Sequence, residues 1–428
     1  MKILHTSDWH LDHTLYRRRR TDEFCAFLKW INQAICEKDV DILIISGDIF
    51  NTQTPSVSAQ EMYYDFLRRV REDYVQRKSR CRHVVIVAGN HDSPAFLAAP
   101  KEILRFLNVY VVSKANSPED AENRESISDA VLFLKNHENK EGIIVTAIPF
   151  LPAKDVATSQ DGETAEDKSK SLNSGIREYY AEMLAEAEAV RERNAGFQEG
   201  RIPIIATGHL FTQGGKTGLE TEDGVINGFR ELYVGNLEHF PADGFPNGYD
   251  YVALGHLHVP QQAGRFSHIR YSGSPLPIGF SEAGQQKEVL LVEFSGNDGR
   301  EIERLPVPCF QALCQVQGEL EEIETEIMKM KNAGARAWVE ITYKGTVFVP
   351  DLQQKIDAWV KDSELEVLSV RNRVVKEGMQ GIFHPEESLE ALDEENVFRR
   401  RLVHGGVPES DFEGFLEMFR EILEKCKE

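Results

Sequence analysis

The sequence lacks the features that would place the chain in a membrane or outside the cell. No run approaches the ~18 consecutive apolar residues that span a bilayer. The amino terminus continues directly into Lys2–Thr6, without the apolar segment and cleavage site of a secretory signal. Six cysteines lie scattered without a Cys-x-x-Cys pair, which is typical of reduced thiols rather than a disulfide framework. These absences predict a soluble, cytoplasmic protein that does not associate with a membrane.

Positive charge is also scarce. Lys and Arg number 49 against 70 for Asp and Glu, which gives a net charge of −21. An acidic surface repels a polyanion at long range, so composition argues against nucleic-acid binding unless cations are concentrated locally or supplied as bound metal. No Gly-x-x-x-x-Gly-Lys-Ser/Thr phosphate-binding loop is present.

The chain length of 428 residues exceeds the size at which one hydrophobic core stops growing, and predicts a large domain with smaller modules. We expect a layered α/β domain over residues 1–300, a small α/β cap over 301–375 and a helical tail over 376–428. The polar and charged stretch of about 114–200 is predicted to be an insertion in the first domain. In the tail an apolar face repeats at helical spacing: Phe412, Phe415, Leu416, Phe419 and Leu423.

Five short apolar runs share one kind of ending. Each reads as a strand and is followed at once by a small residue and by side chains that can bind metal. Helix-length segments, Thr21–Glu37 and Ser56–Arg71, separate the first three runs, which is the spacing of β-α-β units in a layered α/β domain. A single sheet would gather such strand ends at one edge. The runs are Lys2–Thr6, Ile42–Ile45, Val84–Ala88, Ile202–Thr207 and Tyr249–Leu254.

The side chains at these strand ends form a candidate metal site. They combine carboxylate, amide and imidazole groups without thiolate, which favours Mn²⁺, with Zn²⁺, Fe²⁺ and Mg²⁺ as competitors. One ion cannot use so many ligands, whereas two ions about 3.5 to 4 Å apart that share a carboxylate would use them all. The predicted ligands are Asp8, His10, Asp48, Asn90, His209, His256 and His258.

His91 follows a predicted ligand, so its side chain can face the substrate and act as a general acid on a departing oxygen. The alternative is a histidine that supports the site through hydrogen bonds. Asp92 either orients His91 or is a structural carboxylate of the turn. The basic run Arg17–Arg20 either contacts DNA phosphates or is the solvated start of a helix. The sequence leaves these pairs of interpretations open.

The order Asp-x-His, Gly-Asp, Gly-Asn-His-Asp, Gly-His, Gly-His-x-His resembles the calcineurin-like metallophosphoesterases. Within them, Ile3–Leu11, Ile204–Leu210 and Tyr271–Pro277 resemble the SbcD-type nuclease subunits. The resemblance implies a layered β-sandwich flanked by helices and a manganese-dependent nuclease of DNA repair and recombination. Such a nuclease is an exonuclease on double-stranded ends and an endonuclease on single strands and hairpins. It also implies one ion on Asp8, His10, Asp48 and His258, a second on Asp48, Asn90, His209 and His256, and His91 as the acid.

The same resemblance implies an SbcC-like ATPase as partner, bound through the carboxyl-terminal helices, and a homodimer within a heterotetramer acting on DNA. Ser56–Arg71 and Leu97–Leu107 are candidate dimer faces. Two positions depart from the pattern: Asp12, where relatives often have Gly, and Asn51, where they often have Asp. A phosphoesterase for small molecules or proteins with the same fold is the first alternative. A scaffold without activity is the second, although it should have lost some of the ligands.

Overall fold

The computed structural model describes residues 1–115, 129–157, 164–212, 240–295, 299–347 and 349–372, together with residues 395, 398–399, 412–416 and 419–420 of the tail. The chain divides into two compact units, Met1–Ala312 and Leu313–Glu428. Among the described residues, no helix is both long and apolar enough to cross a bilayer. The predicted boundary at residue 300 falls within the strand Gly299–Pro306 of the first unit, and the units divide after Ala312 instead. The boundary at residue 375 remains a prediction, because most of 376–428 lies outside the described residues.

The first unit contains two six-stranded sheets. In spatial order the first sheet consists of β14 (Gly299–Pro306), β13 (Glu288–Ser295), β1 (Lys2–Thr6), β4 (Ile42–Ser46), β5 (His83–Val87) and β6 (Val109–Val112). The second consists of β11 (Gln261–Ala263), β12 (Phe266–Tyr271), β10 (Tyr251–Gly255), β9 (Ile204–His209), β8 (Gly142–Thr146) and β7 (Val131–Lys135). A short hairpin joins β2 (Thr14–Leu15) and β3 (Arg18–Arg19).

The central strands of both sheets are parallel. In the first sheet β1, β4, β5 and β6 run together, and in the second β8, β9, β10 and β12 do so. Parallel strands present their carboxyl ends at the same edge of a sheet. The five predicted strand ends therefore lie at one edge of each of the two sheets.

Helices cover the outer faces of the sheets. They are α1 (Thr21–Glu37), α2 (Val57–Val75), α3 (Pro94–Ala98), α4 (Lys101–Phe106), α5 (Ala153–Val156) and α6 (Ala165–Arg193). Alternate residues of a strand point to opposite faces. In β4, Ile42 and Ile44 pack between the sheets, while Leu43 and Ile45 belong to the core shared with α1 and α2. A third core joins α6 to the second sheet. The predicted sandwich flanked by helices is confirmed.

The region of about 114–200 differs from the prediction of an insertion. It supplies β7 and β8 of the second sheet, and both strands are largely buried. The helix α6 buries Tyr180, Met183 and Leu184 against that sheet. The charged residues of α6 occupy its solvent side. They make the average polarity of the segment high even though one face of the helix is apolar. The described residues of this region belong to the sandwich.

The second unit has the predicted alternation of strands and helices. It contains β15 (Ala312–Gly318), α7 (Leu320–Asn332), β16 (Ala337–Tyr343), α8 (Leu352–Val360) and β17 (Leu365–Asn372), with the strands in one three-stranded sheet. In the tail Phe412 and Leu416 are buried, Phe415 is exposed, and the rings of Phe398 and Phe419 stack at 4.2 Å. Leu423 of the predicted apolar face lies outside the described residues.

Candidate metal centre

The loops that follow β1 and β4 carry predicted ligands on a left-handed backbone. Asp8, His10 and Asp48 have φ of 53°, 46° and 51°, and His256, in the loop after β10, has a φ of 97°. Asp, Asn and His are enriched among the non-glycine residues that adopt such angles. Two backbone hydrogen bonds of 3.0 Å join the loops, from Asp8 N to Gly47 O and from His10 N to Asp48 O. The ligand residues are thus held by their own backbone as well as by packing.

Glycines allow the loops to approach each other. A Cβ added to Gly89 would lie 2.1 Å from Asp48 Oδ1, and one added to Gly47 would lie 2.2 Å from His209 Nδ1. Neither distance can be reached without displacing a predicted ligand. Only a residue without a side chain fits at these positions.

Three predicted ligands, Asp8, His10 and His258, form a first donor group. One ligand atom from each lies within 4.8 Å of the others. Nε2 of His10 lies 3.2 Å from Nε2 of His258. Two neutral imidazoles that direct acceptor nitrogens at each other repel unless a proton or a cation lies between them. This geometry fits a metal ion.

A second donor group comes from both sheets. Asp8, Asp48 and His209 also place ligand atoms within 4.8 Å of one another. The amide oxygen of Asn90 lies 3.0 Å from Nε2 of His209 and 3.1 Å from Nδ1 of His256. Asp48 Oδ2 lies 3.3 Å from His209 Nε2 and 3.6 Å from His10 Nε2, so this one oxygen reaches both groups.

Burial shapes the charges of these groups. It lowers the pKa of His10, and it lowers that of His256 to about 3, so both imidazoles are neutral, as metal ligands must be. Burial would raise the pKa of Asp48, but the neighbouring His209 holds it well below its usual range. Burial would lower the pKa of His209, but the neighbouring Asp48 raises it to about 9. Asp48 thus attracts positive charge to the centre, which suits a divalent cation.

The backbone of both sheets also meets at this centre. The amide of His256, in the loop after β10, donates to Asp8 Oδ1 at 3.0 Å, across 248 positions of the chain. The Ser7 hydroxyl donates to Asp8 Oδ2 at 2.5 Å and lies 2.8 Å from the Ser272 hydroxyl. Ser272 lies in the Tyr271–Pro277 segment, which therefore borders the site.

His91 lies beside the first donor group. Its ring centroid is 5.0 Å from that of His10, and its amide donates to Asp48 Oδ1 at 2.9 Å. Nδ1 of the ring lies 3.1 Å from the backbone carbonyl of Asn51. The ring is therefore oriented by a main-chain oxygen, and the side chain at Asn51, one of the two departures from the sequence pattern, does not make this contact.

The contacts of Asp92 are those of a structural carboxylate in the turn. It accepts hydrogen bonds from the amides of Ile49, Phe50 and Gly89 at 2.9 to 3.2 Å. Burial, followed by repulsion from Asp48, raises its pKa to about 7. Its carboxyl group joins the loops after β4 and β5.

Comparisons with known proteins agree with this geometry. Residues 1–260 match the calcineurin-like phosphoesterase family, and residues 309–404 match the family described as type 5 capsule protein repressor C-terminal domain. The chain is 35% identical over 425 residues to SbcD, the SbcCD nuclease subunit of Escherichia coli, covering 99% of this chain and 98% of that one. The chain belongs to the SbcD family.

Two further family members show the spread of the similarity. The SbcD protein of Rhodobacter capsulatus is 32% identical over 310 residues, which cover 72% of this chain and 69% of that protein. The SbcD protein of Bacillus subtilis is 28% identical over 294 residues, covering 68% and 66%.

For this SbcD family member, sequence reasoning missed a charged pair behind His258. Glu282 Oε1 lies 3.4 Å from His258 Nδ1, and Glu282 Oε2 lies 2.5 Å from the ammonium group of Lys287. Burial would raise the pKa of Glu282, but Lys287 and His258 hold it well below its usual range. Neither residue belongs to a recognisable sequence motif. The one available signal was that both charged residues lie next to apolar segments in the sequence.

The basic run divides between two environments. Arg18–Arg19 form β3, and Arg20 is the N-cap residue of α1, which begins at Thr21, so most of the run precedes the helix. Arg20 is buried, pairs with Glu23 at 2.6 Å and donates to the carbonyl of Pro277. Arg17, Arg18 and Arg19 are exposed. Asp12, the other departure, has a φ of 79°, the region where the glycine of relatives is favoured.

Proposed function

We propose that this chain is the nuclease subunit of an SbcCD-type complex and hydrolyses DNA phosphodiesters with two divalent ions. Family membership over nearly the whole chain supports the nuclease assignment. The observation that carries the chemistry is the single buried cluster formed by the predicted ligands from both sheets. Exonuclease action on double-stranded ends, endonuclease action on single strands and hairpins, roles in repair and recombination, and a cytoplasmic location are part of the proposal.

The first proposed ligand set is the first donor group with Asp48 added. The second keeps Asp48 and His209 of the second donor group, adds Asn90 and His256, and leaves out Asp8. Asp48 is the shared ligand, because its Oδ2 reaches His10 and His209. When bound, the two ions hold the scissile phosphate and lower the pKa of a water molecule for in-line attack. The donors are oxygen and imidazole nitrogen, which supports manganese. One set is Asp8, His10, Asp48 and His258, and the other is Asp48, Asn90, His209 and His256.

His91 is the proposed general acid. With Nδ1–H donating to the Asn51 carbonyl, a protonated ring presents its second proton on Nε2. That proton passes to the sugar oxygen as the phosphorus–oxygen bond breaks. The amide of His91 is tied to Asp48 Oδ1, so the ring keeps a fixed place beside the metal ligands. Positioning of this kind is what general acid catalysis requires.

The acidic composition calls for local cations at the DNA. The proposed ions supply part of this charge, and the exposed side chains of Arg17 and Arg19 supply more for DNA phosphates beyond them. Arg20 is bound to Glu23 and Pro277 and anchors the end of this hairpin instead.

The activity is tested with purified full-length protein, Mn²⁺, a labelled hairpin DNA and a chromogenic phosphodiester. We expect the hairpin to be cut, with no cutting after chelation of the metal. Parallel reactions with Mg²⁺, Zn²⁺ and Fe²⁺ identify the metal that supports cleavage. Cleavage of the small ester with intact DNA under every metal, with and without an SbcC-like ATPase, would favour a small-molecule phosphoesterase.

Self-association is the first proposed interaction. On α4, Phe106 is 86% exposed, and Ile103 and Leu107 are exposed beside it. Contiguous exposed apolar side chains mark interaction surfaces. This patch lies in the Leu97–Leu107 segment named as a dimer face, and it supports a homodimer within a heterotetramer.

Phe106→Asp is expected to weaken self-association by about 30-fold or more, which corresponds to the ~2 kcal/mol of a central interface residue. Sedimentation equilibrium of the full-length protein measures the change. Val347→Asp is the matched control, because Val347 is 69% exposed and lies in the second unit. If both variants self-associate like the parent, α4 is not the dimer face.

Binding of an SbcC-like ATPase through the tail is the second proposed interaction. Phe412 and Leu416 are buried, so they stabilise the chain itself. Phe415, on the same helix, is 43% exposed and can bind a partner. Helix-in-groove recognition uses side chains of this kind.

We expect Phe415→Asp to weaken binding of the ATPase by about 30-fold and to abolish its stimulation of cleavage, while cleavage of single strands by the isolated chain is unchanged. A pull-down and a cleavage assay with ATP measure both. Met328→Asp, at a side chain 38% exposed on α7, serves as the control. Parent-like binding by folded Phe415→Asp would remove this residue from the partner interface.

A further inference from the structure

A buried ion pair lies directly behind one predicted metal ligand. Glu282 and Lys287 are 6% and 4% exposed, although an isolated charge in such a place is strongly unfavourable. Glu282 ends the short turn Phe280–Glu282, and Lys287 immediately precedes β13. The first unit therefore keeps two opposite charges at a place where apolar residues would be less costly.

Glu282 uses both carboxylate oxygens. Oε1 faces Nδ1 of His258 at 3.4 Å. Oε2 accepts from the Lys287 ammonium group at 2.5 Å and from the amide of Ile278 at 3.0 Å. The carboxylate is thus fixed on one side by Lys287 and by main chain, and it turns its other side to the imidazole.

Lys287 holds the backbone of the same ligand. Its ammonium group donates to the carbonyl of His258 at 3.1 Å and to the Ser274 hydroxyl at 3.2 Å. The ring of His258 is therefore fixed through Glu282 and its main chain through Lys287. Nε2, the ring nitrogen opposite Glu282, is the one that faces His10 at the donor group.

His209, in the second donor group, is held differently. Its Nδ1 lies 2.9 Å from the backbone carbonyl of Ser46, a neutral acceptor. A carboxylate behind an imidazole fixes the ring and raises the basicity of the nitrogen that binds metal more than a neutral carbonyl does. The two donor groups are therefore supported by acceptors of different charge.

We propose that Glu282 and Lys287 are positioning residues that strengthen binding of the ion held by Asp8, His10 and His258. The proposal rests on the proposed ligand sets. Loss of the Glu282 charge lowers the affinity for this ion and leaves the affinity for the ion at His209 and His256 unchanged.

The test measures metal binding without DNA. Metal-free full-length protein is titrated with Mn²⁺, and free Mn²⁺ is followed by electron paramagnetic resonance. We expect two ions for the parent. For Glu282→Gln we expect one ion at the parent affinity and one weakened by about 10- to 100-fold. Glu282→Asp, which keeps the charge on a shorter side chain, should fall between them.

Glu288→Gln is the matched control. Glu288 is also buried and paired, with Arg304 at 2.7 Å, but it contacts no predicted ligand in the described part of the chain. Its two-ion titration should equal that of the parent. Because Glu282→Gln leaves Lys287 uncompensated, the double variant Glu282→Gln with Lys287→Met is measured too; it removes both charges and should fold with nearly the parent's melting temperature.

The outcomes separate this inference from the proposed function. A parent that binds fewer than two ions contradicts the ligand sets themselves. A parent that binds two ions, with an unchanged titration in folded Glu282→Gln or in the folded double variant, overturns only the positioning role. Equal weakening of both ions would also overturn it, because that result indicates general loosening of the site.

Discussion

His91→Asn is expected to lower the rate of DNA cleavage by about 10²- to 10⁴-fold, while the protein still binds two divalent ions. The ring is oriented by the Asn51 carbonyl and lies beside His10, but its proposed task is to donate a proton rather than to bind metal. Single-turnover cleavage of labelled single-stranded DNA measures the rate, and elemental analysis measures the metal. His268→Asn, the same change at a half-buried histidine outside the centre, is the control.

The leaving group distinguishes acid catalysis from support of the site. The acidic phenol of a chromogenic phosphodiester departs as a phenolate and needs no proton from an acid. His91→Asn should therefore impair hydrolysis of this ester much less than it impairs cleavage of DNA. Loss of a bound ion, or equal loss of rate on both substrates, would contradict the role of general acid and favour the alternative of a supporting histidine.

Asp48→Ala is expected to remove both ions and to reduce cleavage to background. Its Oδ2 lies 3.6 Å from His10 Nε2 and 3.3 Å from His209 Nε2, so it is the proposed ligand of both ions and screens their mutual repulsion. His258→Ala should also be inactive but should keep one ion. Elemental analysis after gel filtration in low Mn²⁺ measures the difference.

The comparison must be made on folded protein, because Asp48 Oδ1 also accepts from the His91 amide. Asp48→Asn preserves the shape of the side chain and provides the check. We expect weak retention of metal in this variant, since an amide oxygen carries no charge to balance two cations. Equal metal content in Asp48→Ala and His258→Ala would count against the bridging role.

Much of the fold could be predicted because β1, β4 and β5 of the first sheet are short, largely apolar and followed by a small residue. β4 is an example, since all five of its residues are buried. The region of about 114–200 was misjudged for the opposite reason. On α6 charged residues cover the solvent side, and a single apolar face with Tyr180 and Met183 packs on the second sheet. The prediction of an insertion relied on the average polarity of the segment and gave too little weight to the helical spacing of its apolar residues.

The predicted ligands could be identified from the residues that follow the predicted strands. There, side chains that bind metal stand close to small residues. The groups that support them have no such pattern. Lys287 reaches the carbonyl of His258 across 29 positions, and Asp92 reaches the amide of Ile49 across 43. Such contacts depend on how loops fold over one another, and single-sequence patterns contain only short spacings.

The contact between Asp8 and the His256 amide has a consequence for the newly made chain. The two residues are 248 positions apart, and each sheet brings one of them to the centre. At a synthesis rate of about 5 to 20 residues per second, His256 emerges roughly 10 to 50 seconds after Asp8. Throughout that interval an unfinished chain holds only some of the proposed metal ligands, so we expect it not to cut nearby nucleic acid. We therefore expect nuclease activity to begin only after both sheets have been synthesised and packed together.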